Sequence, residues 1–187
     1  MASELVIVPL TSQILDLDLA AYRSSPRAIS AHSSGRWPGQ DLSREEARRL
    51  MAVHETEQSA GAAYAYAILD ADGARELGCV YLRPLSPFLA RTGTRFDTAA
   101  IDPSRTAIVT FWLIDDQGAR PSTARVLGGL RRWLHHWRAA GLVYRCLPGE
   151  AASVAALADA AGLCPLAASG QELPYLWFAD KATTQIA

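Results

Sequence analysis

Lysine is almost missing from this chain. Among its 18 Lys and Arg residues only Lys181 is a lysine, and against 19 Asp and Glu they leave a formal net charge of −1. A near-neutral chain has no global field with which to hold nucleic acid or an anionic membrane. Arginine without lysine, in a chain rich in alanine, reads as compositional bias rather than as a binding surface. Cysteine is scarce as well: Cys79, Cys146 and Cys164 are odd in number, and no pair has metal-ligand spacing. That argues against a disulfide framework, gives no metal site, and fits free thiols in a reducing, cytoplasmic setting. No apolar run approaches the ~20 residues of a membrane span. The opening MASELVIVPL lacks the basic start and long apolar stretch of a signal segment. There is no Walker loop, no CxxC pair and no Ser/His/Asp set.

What the chain does have is apolar material: 50% of its 187 residues are hydrophobic, enough for one domain with a substantial core. ELVIVP (4–9) reads as a first strand, and Thr11 as the cap of a helix over 12–22. Residues 24–40, rich in Ser, Pro and Gly, read as a long loop carrying His32, Arg36 and Trp37. Ser43 and Glu46 form a capping box that opens a helix to Gln58, with Ala47, Leu50, Met51 and His54 on one face. AYAYAIL (63–69) alternates strictly. With the Asp70–Gly73 turn and LGCVYL (77–82) it predicts a β-hairpin. Residues 83–103 read as a second irregular stretch.

Thr106–Asp115 is apolar on both faces, the pattern of a central strand covered on two sides. Val126, Leu127, Leu130, Trp133, Leu134 and Trp137 then make a helical stripe to about Ala140, with Gly141 placed as its C′ residue. Gly128 and Gly129 inside that helix suggest a close approach of backbone or ligand. The adjacent pair His135-His136 cannot face one metal from a helix. LVYRCL (142–147) is a further strand, 150–161 an Ala-rich helix, and 163–167 and 175–179 two terminal strands. Residues 181–187 read as a flexible tail.

The hairpin YAYAILDADGARELGCVYLRPL, the strand–turn–helix AIVTFWLIDD to Trp137, and SVAALADAAGL together resemble the GNAT superfamily of acyl-CoA-dependent N-acyltransferases. The resemblance covers most of residues 1–180. It implies an α/β (α+β) fold: a single domain with a mixed, mostly antiparallel sheet and helices on both faces. It also implies transfer of an acetyl or other acyl group from acyl-CoA to a small-molecule or peptide amine, by direct attack in a ternary complex. No metal, nucleic acid or membrane is then expected. A backbone N–H near Leu113 and Ile114 would polarise the thioester carbonyl. Pyrophosphate would sit at the helix start, where free amides and the dipole favour an anion, so the cofactor residues are Leu113, Ile114, Gln117, Gly118, Arg120, Ser122, Thr123 and Arg125. In the family this turn reads Q/R-x-x-G-x-G/A. From Arg120 the sequence has Thr123 and Arg125 at the glycine places, and from Gln117 it has Arg120 at the first of them.

The late helix departs as well. Ser153 keeps the family's Ser, but Leu157 stands where a proton-donating Tyr is usual. A base is still required, because a protonated amine cannot attack a thioester. Glu57, His54, Tyr66, Tyr144 and Ser153 are the candidates for proton transfer. The competing expectation is a fold of this type that has lost catalysis and serves as a binding or regulatory module, with a homodimer as one form it can take.

Overall fold

The computed structural model describes residues 5–97, 101–115, 122–137 and 141–180. In chain order the elements are β1 (Val6–Pro9), a 3-10 turn (Ser12–Ile14), α1 (Leu15–Arg23), α2 (Pro26–Ser33), α3 (Arg44–Ser59), β2 (Tyr64–Leu69) and β3 (Glu76–Pro84). Then come α4 (Leu85–Thr92), β4 (Arg95–Phe96), β5 (Thr106–Leu113), α5 (Thr123–Leu134), β6 (Gly141–Cys146) and α6 (Ala151–Asp159). The chain closes with β7 (Leu163–Leu166), β8 (Ala168–Ser169) and β9 (Leu176–Asp180). The hydrogen-bonded strand order is β1-β2-β3-β5-β6-β9-β7, with β4 and β8 as a separate pair. The β5–β6 ladder is parallel, whereas β1–β2, β6–β9 and β7–β9 are antiparallel. This is the mixed, mostly antiparallel α/β fold expected from the sequence. Residues 117–121 of the expected phosphate turn and the tail 181–187 lie outside the described residues.

Two compact units make up the chain, one of residues 1–81 with 111–122, the other of 82–110 with 123–187. In the first, the hairpin forms as expected. Gly73 turns at φ +69°, and the Asp70 carboxylate accepts the amides of Ala74 and Arg75 at 3.0 and 3.2 Å. The small residues of β2, not its tyrosines, carry the tightest face: Ala65 and Ala67 are buried while Tyr64 and Tyr66 are half-buried. The Ser43–Glu46 capping box is present at the start of α3. Thr11 makes no side-chain cap. The Ser12 amide donates instead to Glu55 of α3 at 2.8 Å, and the first turn tightens to 3-10 before α1 begins.

The expected loop over 24–40 contains α2. Pro26 occupies its first turn, where a missing N–H costs nothing. Its own flanking Ser25 makes no side-chain cap; the capping carboxylate comes from Asp115, just beyond β5. Asp115 accepts the Arg27 amide at 2.8 Å and the Ala28 amide at 3.0 Å, and its own amide donates to Ser25 Oγ at 3.1 Å.

In the second unit, β5 and β6 form a parallel ladder from Thr106↔Gly141 to Val109↔Tyr144. A parallel pair needs a crossover, which α5 supplies. The ladder stops there, although β5 runs on to Leu113 and β6 to Cys146. Helices cover β6 on both faces. Val143 packs with Leu85 and Phe88 of α4, while Tyr144, on the opposite face, meets Arg131 of α5. The expected irregular stretch 83–103 holds α4, in which Pro87 is tolerated because it falls in the first turn. The α5 helix ends earlier than its stripe suggests. Beyond Leu134 the amides of His136 and Trp137 bond three residues back, and Gly141 opens β6 instead of capping the helix.

Two glycines make opposite predictions. Gly78 in β3 has φ +145°, and a Cβ there would stand 2.0 Å from the Trp112 carbonyl oxygen and 2.8 Å from Leu113 Cα. Gly78→Ala is therefore expected to destabilise by more than the ~1 kcal/mol typical of point substitutions. At Gly128 a Cβ would meet only the end of Arg132 at 3.7 Å, so the expected close backbone approach is not found there. Gly128→Ala should stabilise by about 0.5–1 kcal/mol. Urea unfolding of the two variants beside the parent checks both signs.

Candidate active site

The first unit gathers its polar and aromatic chemistry around one residue, Tyr81, on β3. His32 of α2 stacks on its ring at 6.2 Å, Trp37 meets it edge-on at 5.8 Å, and His54 of α3 lies at 5.9 Å. His32 and Trp37 also touch each other, their centroids 5.2 Å apart. Trp112 of β5 donates its indole N–H to the Tyr81 hydroxyl at 3.3 Å and meets Tyr22 at 6.3 Å. Tyr22 in turn donates to the Pro38 carbonyl at 2.7 Å, which holds the segment carrying Trp37. Burial pushes the Tyr22 hydroxyl up to about 12. Beside this group, one turn further along α3, Glu57 places a carboxylate oxygen 3.9 Å from His54 Nδ1. The structure therefore brings together two sequence candidates, His54 and Glu57, with His32 and Trp37.

Beneath Tyr81 lies a group that sequence reasoning missed. Glu76 is 2% exposed and Cys79 fully buried. The Cys79 thiol donates to Glu76 Oε1 at 3.2 Å and to Asp18 of α1 at 3.5 Å. Burial, then the Asp18 charge, pushes the Glu76 carboxyl up to about 9, and burial raises Asp18 as well. Glu76 Oε2 is buried with no N–H or hydroxyl donor among the described residues. A proton carried by Glu76 resolves this, because it lets the carboxyl bond Asp18 as a neutral donor. At neutral pH the pair thus shares at least one proton. Burial also raises the Cys79 thiol and the Tyr81 hydroxyl far above their usual range, so both stay protonated.

Asp18, Glu76 and Cys79 offer three donor atoms within 4.8 Å of one another, which is also a spacing that suits a metal ion. A cation would require the site to lose the protons that burial holds there. Little in the sequence announces this cluster: Asp18 is far from Glu76 along the chain, and Glu76 is a single acid opening an apolar strand.

The remaining candidates fall elsewhere. The Ile114 amide donates to the Leu77 carbonyl at 2.9 Å, so it is not available to a carbonyl oxygen. Successive amides of a strand point to opposite edges, which turns the Leu113 amide away from β3. Ser122 and Arg125 are exposed at the start of α5 and Thr123 is half-buried there; Gln117, Gly118 and Arg120 lie outside the described residues. In the second unit Tyr144 is 1% exposed beside Arg131 and Asp180, with its hydroxyl raised first by burial. Arg131 itself bonds Asp180 and the Ala161 carbonyl at 2.8 and 2.7 Å. Ser153 is buried on α6, and Leu157 of the same helix is fully buried. Tyr66 is half-buried, its hydroxyl raised by burial and by Tyr64. Among the described residues no helix is long and apolar enough to cross a membrane.

The protonated Glu76 sets a pH dependence. Its folded pKa of about 9 lies above the unfolded value of 4.5, so the stabilising contribution is complete below pH 4.5 and is lost as pH rises to about 9. Unfolding free energy should therefore fall through that window by up to about 1.4 kcal/mol per pH unit. Glu76→Gln, which keeps a neutral donor, should flatten the slope in denaturant titrations across pH; an unchanged slope would place the ionised acid in the fold.

No family model matches this sequence, and no curated protein matches it by sequence. Solved structures do match. RimL, a ribosomal L7/L12 alpha-N-protein acetyltransferase in complex with coenzyme A, is 14% identical at a TM-score of 0.68, over 94% of this chain and 93% of that one. An acetyltransferase from Thermus thermophilus is 14% identical at 0.63, over 95% and 97%. Spermidine N-acetyltransferase from Vibrio cholerae, in complex with coenzyme A and spermine, is 11% identical at 0.60, over 94% of each chain. At such identities the likeness speaks for architecture, and on that ground the chain has the fold of the GNAT acetyltransferases.

Proposed function

We propose that this protein transfers an acetyl or other acyl group from acyl-CoA to an amine. The observation that carries this reading is the early end of the β5–β6 ladder at Val109↔Tyr144, in a fold shared with CoA-bound acetyltransferases. Past Val109 the strand β5 runs on to Leu113, and its edge that carries the Leu113 amide suits hydrogen bonding along an extended pantetheine arm. Ser122, Thr123 and Arg125 at the start of α5, with Gln117, Gly118 and Arg120 before them, supply hydroxyls, a helix terminus and guanidinium groups for the pyrophosphate. The motif's glycines are replaced here, so side-chain donors take a larger share than backbone amides.

The amine enters protonated and must lose a proton before it attacks. We assign that proton to the His54 imidazole, with Glu57 beside its Nδ1 to stabilise the imidazolium that forms. The amine lone pair then attacks the thioester carbonyl carbon. A C–N bond forms, and the Leu113 N–H stabilises the oxyanion. Collapse breaks the C–S bond and releases CoA as a thiolate, and the surplus proton on the attacking nitrogen passes to that thiolate, which leaves the neutral amide and the CoA thiol. Leu157 cannot donate that proton. Ser153 and Tyr144 are buried hydroxyls, and we place them as structural groups. The aromatic surface of His32, Trp37 and Tyr81 suits an ammonium-bearing acceptor through the ring faces. Small polyamines and peptide N-termini, the acceptors named for the structural neighbours, belong to that class.

Acetyl-CoA at 100 times its dissociation constant should add about 2.7 kcal/mol to stability. Thermal unfolding with and without acetyl-CoA measures it. No shift at saturating acetyl-CoA overturns the transfer reading and leaves a non-catalytic module. A full shift retained in Arg125→Ala removes that residue from the phosphate site. Over a panel of amines, His54→Ala should slow acetyl-CoA-dependent thiol release by about a hundredfold. It should also flatten the acid limb of the pH–rate profile without changing the acetyl-CoA-induced thermal shift. An unaltered profile would assign the base elsewhere.

A further inference from the structure

Two of the rings around Tyr81 are carried by a segment with little to hold it locally. The helix α2 has eight residues, too few to persist alone, and its flanking Ser25 makes no side-chain cap. Beyond it the chain turns through left-handed Ser34 and Gly35, at φ +54° and +71°, and arrives at Trp37. Trp37 is 37% exposed, so a molecule from solvent can reach the wall that it forms with His32 and Tyr81. The far end of the segment is tied by the Tyr22 hydroxyl, which donates to the Pro38 carbonyl at 2.7 Å. The near end is anchored by Asp115.

Each oxygen of the Asp115 carboxylate takes one amide of the first turn of α2: Oδ2 accepts from Arg27 at 2.8 Å and Oδ1 from Ala28 at 3.0 Å. The Asp115 amide returns to Oγ of Ser25, which is fully buried. The negative charge also suits the positive end of the helix dipole. The Arg27 side chain adds little, since its Nε stands 3.6 Å away and the side chain is largely exposed. Asp115 itself sits on the acyl side of the proposed site. It lies two residues past Leu113, whose N–H is assigned to the oxyanion, and the Ile114 amide between them is pinned to the Leu77 carbonyl at 2.9 Å. Two residues of extended chain span at most about 7 Å. The short stretch from Leu113 to Asp115 therefore carries both the oxyanion donor and the cap of the helix that brings His32 and Trp37 to Tyr81.

We propose that Asp115 is a positioning residue for the amine acceptor: through α2 it sets His32 and Trp37 against Tyr81, at a fixed reach from the Leu113 N–H. It touches neither substrate. Without its carboxylate the first amides of α2 lose both acceptors, the helix frays from that end, and the amine must order the segment as it binds. Amine affinity falls, while the acyl-CoA contacts, which use other atoms of β5 and α5, are unchanged. The inference rests on reading the His32, Trp37 and Tyr81 surface as the amine site.

The test compares the intact protein with Asp115→Asn and Asp115→Ala. Asparagine keeps the shape and one acceptor oxygen without the charge; alanine keeps none of these. Calorimetric titration with spermidine and with trialanine, which offers a free α-amine, reads amine binding without turnover. Amide hydrogen exchange over residues 26–33 reads the helix. The better-bound amine should bind Asp115→Ala at least about tenfold more weakly than the parent, with Asp115→Asn between them and exchange at 26–33 faster in the same order. With acetyl-CoA present, KM for the amine should rise, while kcat at saturating amine and the acetyl-CoA-induced thermal shift stay unchanged. Equal amine affinity in the parent and in Asp115→Ala would overturn the proposal. So would an equal loss of amine binding and of the acetyl-CoA shift, which marks a merely structural role, or no binding of either amine by the parent. Amine binding without turnover in the parent would remove the transfer reading, and the binding comparison would still decide on Asp115. If Asp115→Ala does not fold, the parent–asparagine comparison decides alone.

Discussion

The carboxylate of Asp115 accepts two amides at the start of α2, and Asp115 returns its own amide to Ser25. This one side chain ties the end of β5 to a helix that follows it in space but precedes it by almost ninety residues in sequence. An eight-residue helix is too short to persist alone in water. It exists because its terminal amides are satisfied from outside and its Ile29 side is buried. With α2 in place, His32 reaches Tyr81 and Trp37 follows. Two of the three residues before Asp115 act on the same neighbourhood: Trp112 bonds Tyr81, and Ile114 bonds the backbone of β3. Gly78 permits this approach, since any side chain there would strike the Trp112 carbonyl. The aromatic site is thus an outcome of how closely β5 lies on β3.

That dependence explains which parts of the chain are legible in sequence. The hairpin, the capping box of α3, the doubly covered β5 and the stripe of α5 are written in contiguous residues with the right period, and each is found. The helices α2 and α4 read as loops because their composition is that of loops. Ser, Pro and Gly surround α2, and its cap is Asp115, which no local window contains. Proline opens α2 and falls in the first turn of α4, where it is harmless, but in a sequence scan it counts against a helix. The C-terminal end of α5 is overread for the converse reason: Trp137 continues the apolar stripe although the backbone has already tightened.

The site divides along the same line. His54 and Glu57 stand three apart on one helix, a spacing that sequence can place on one face. Tyr81, Asp18, Glu76 and Cys79 come from a helix and a strand with no fixed spacing between them, and nothing short of the fold puts them together. The expected phosphate turn shows the limit from the other side. Its sequence departs from the family's glycine pattern, yet the architecture around it is that of the family. The ladder of strands is set by many apolar residues, so it is shared at low identity, whereas the character of a six-residue turn rests on a few positions.

Buried charge is handled in two ways within this one chain. At Glu76 the low-dielectric surroundings act on a group that can change its charge, and the acid keeps its proton well above its usual range. The cost of burial is met by the solvent's protons, so the cluster is self-sufficient and varies with pH. At Arg145 the same surroundings act on a group that cannot change its charge. Three aromatic rings oppose the desolvation, but they leave Nε and Nη1 without acceptors. A proton can complete the first site, whereas no change of protonation is open to the second.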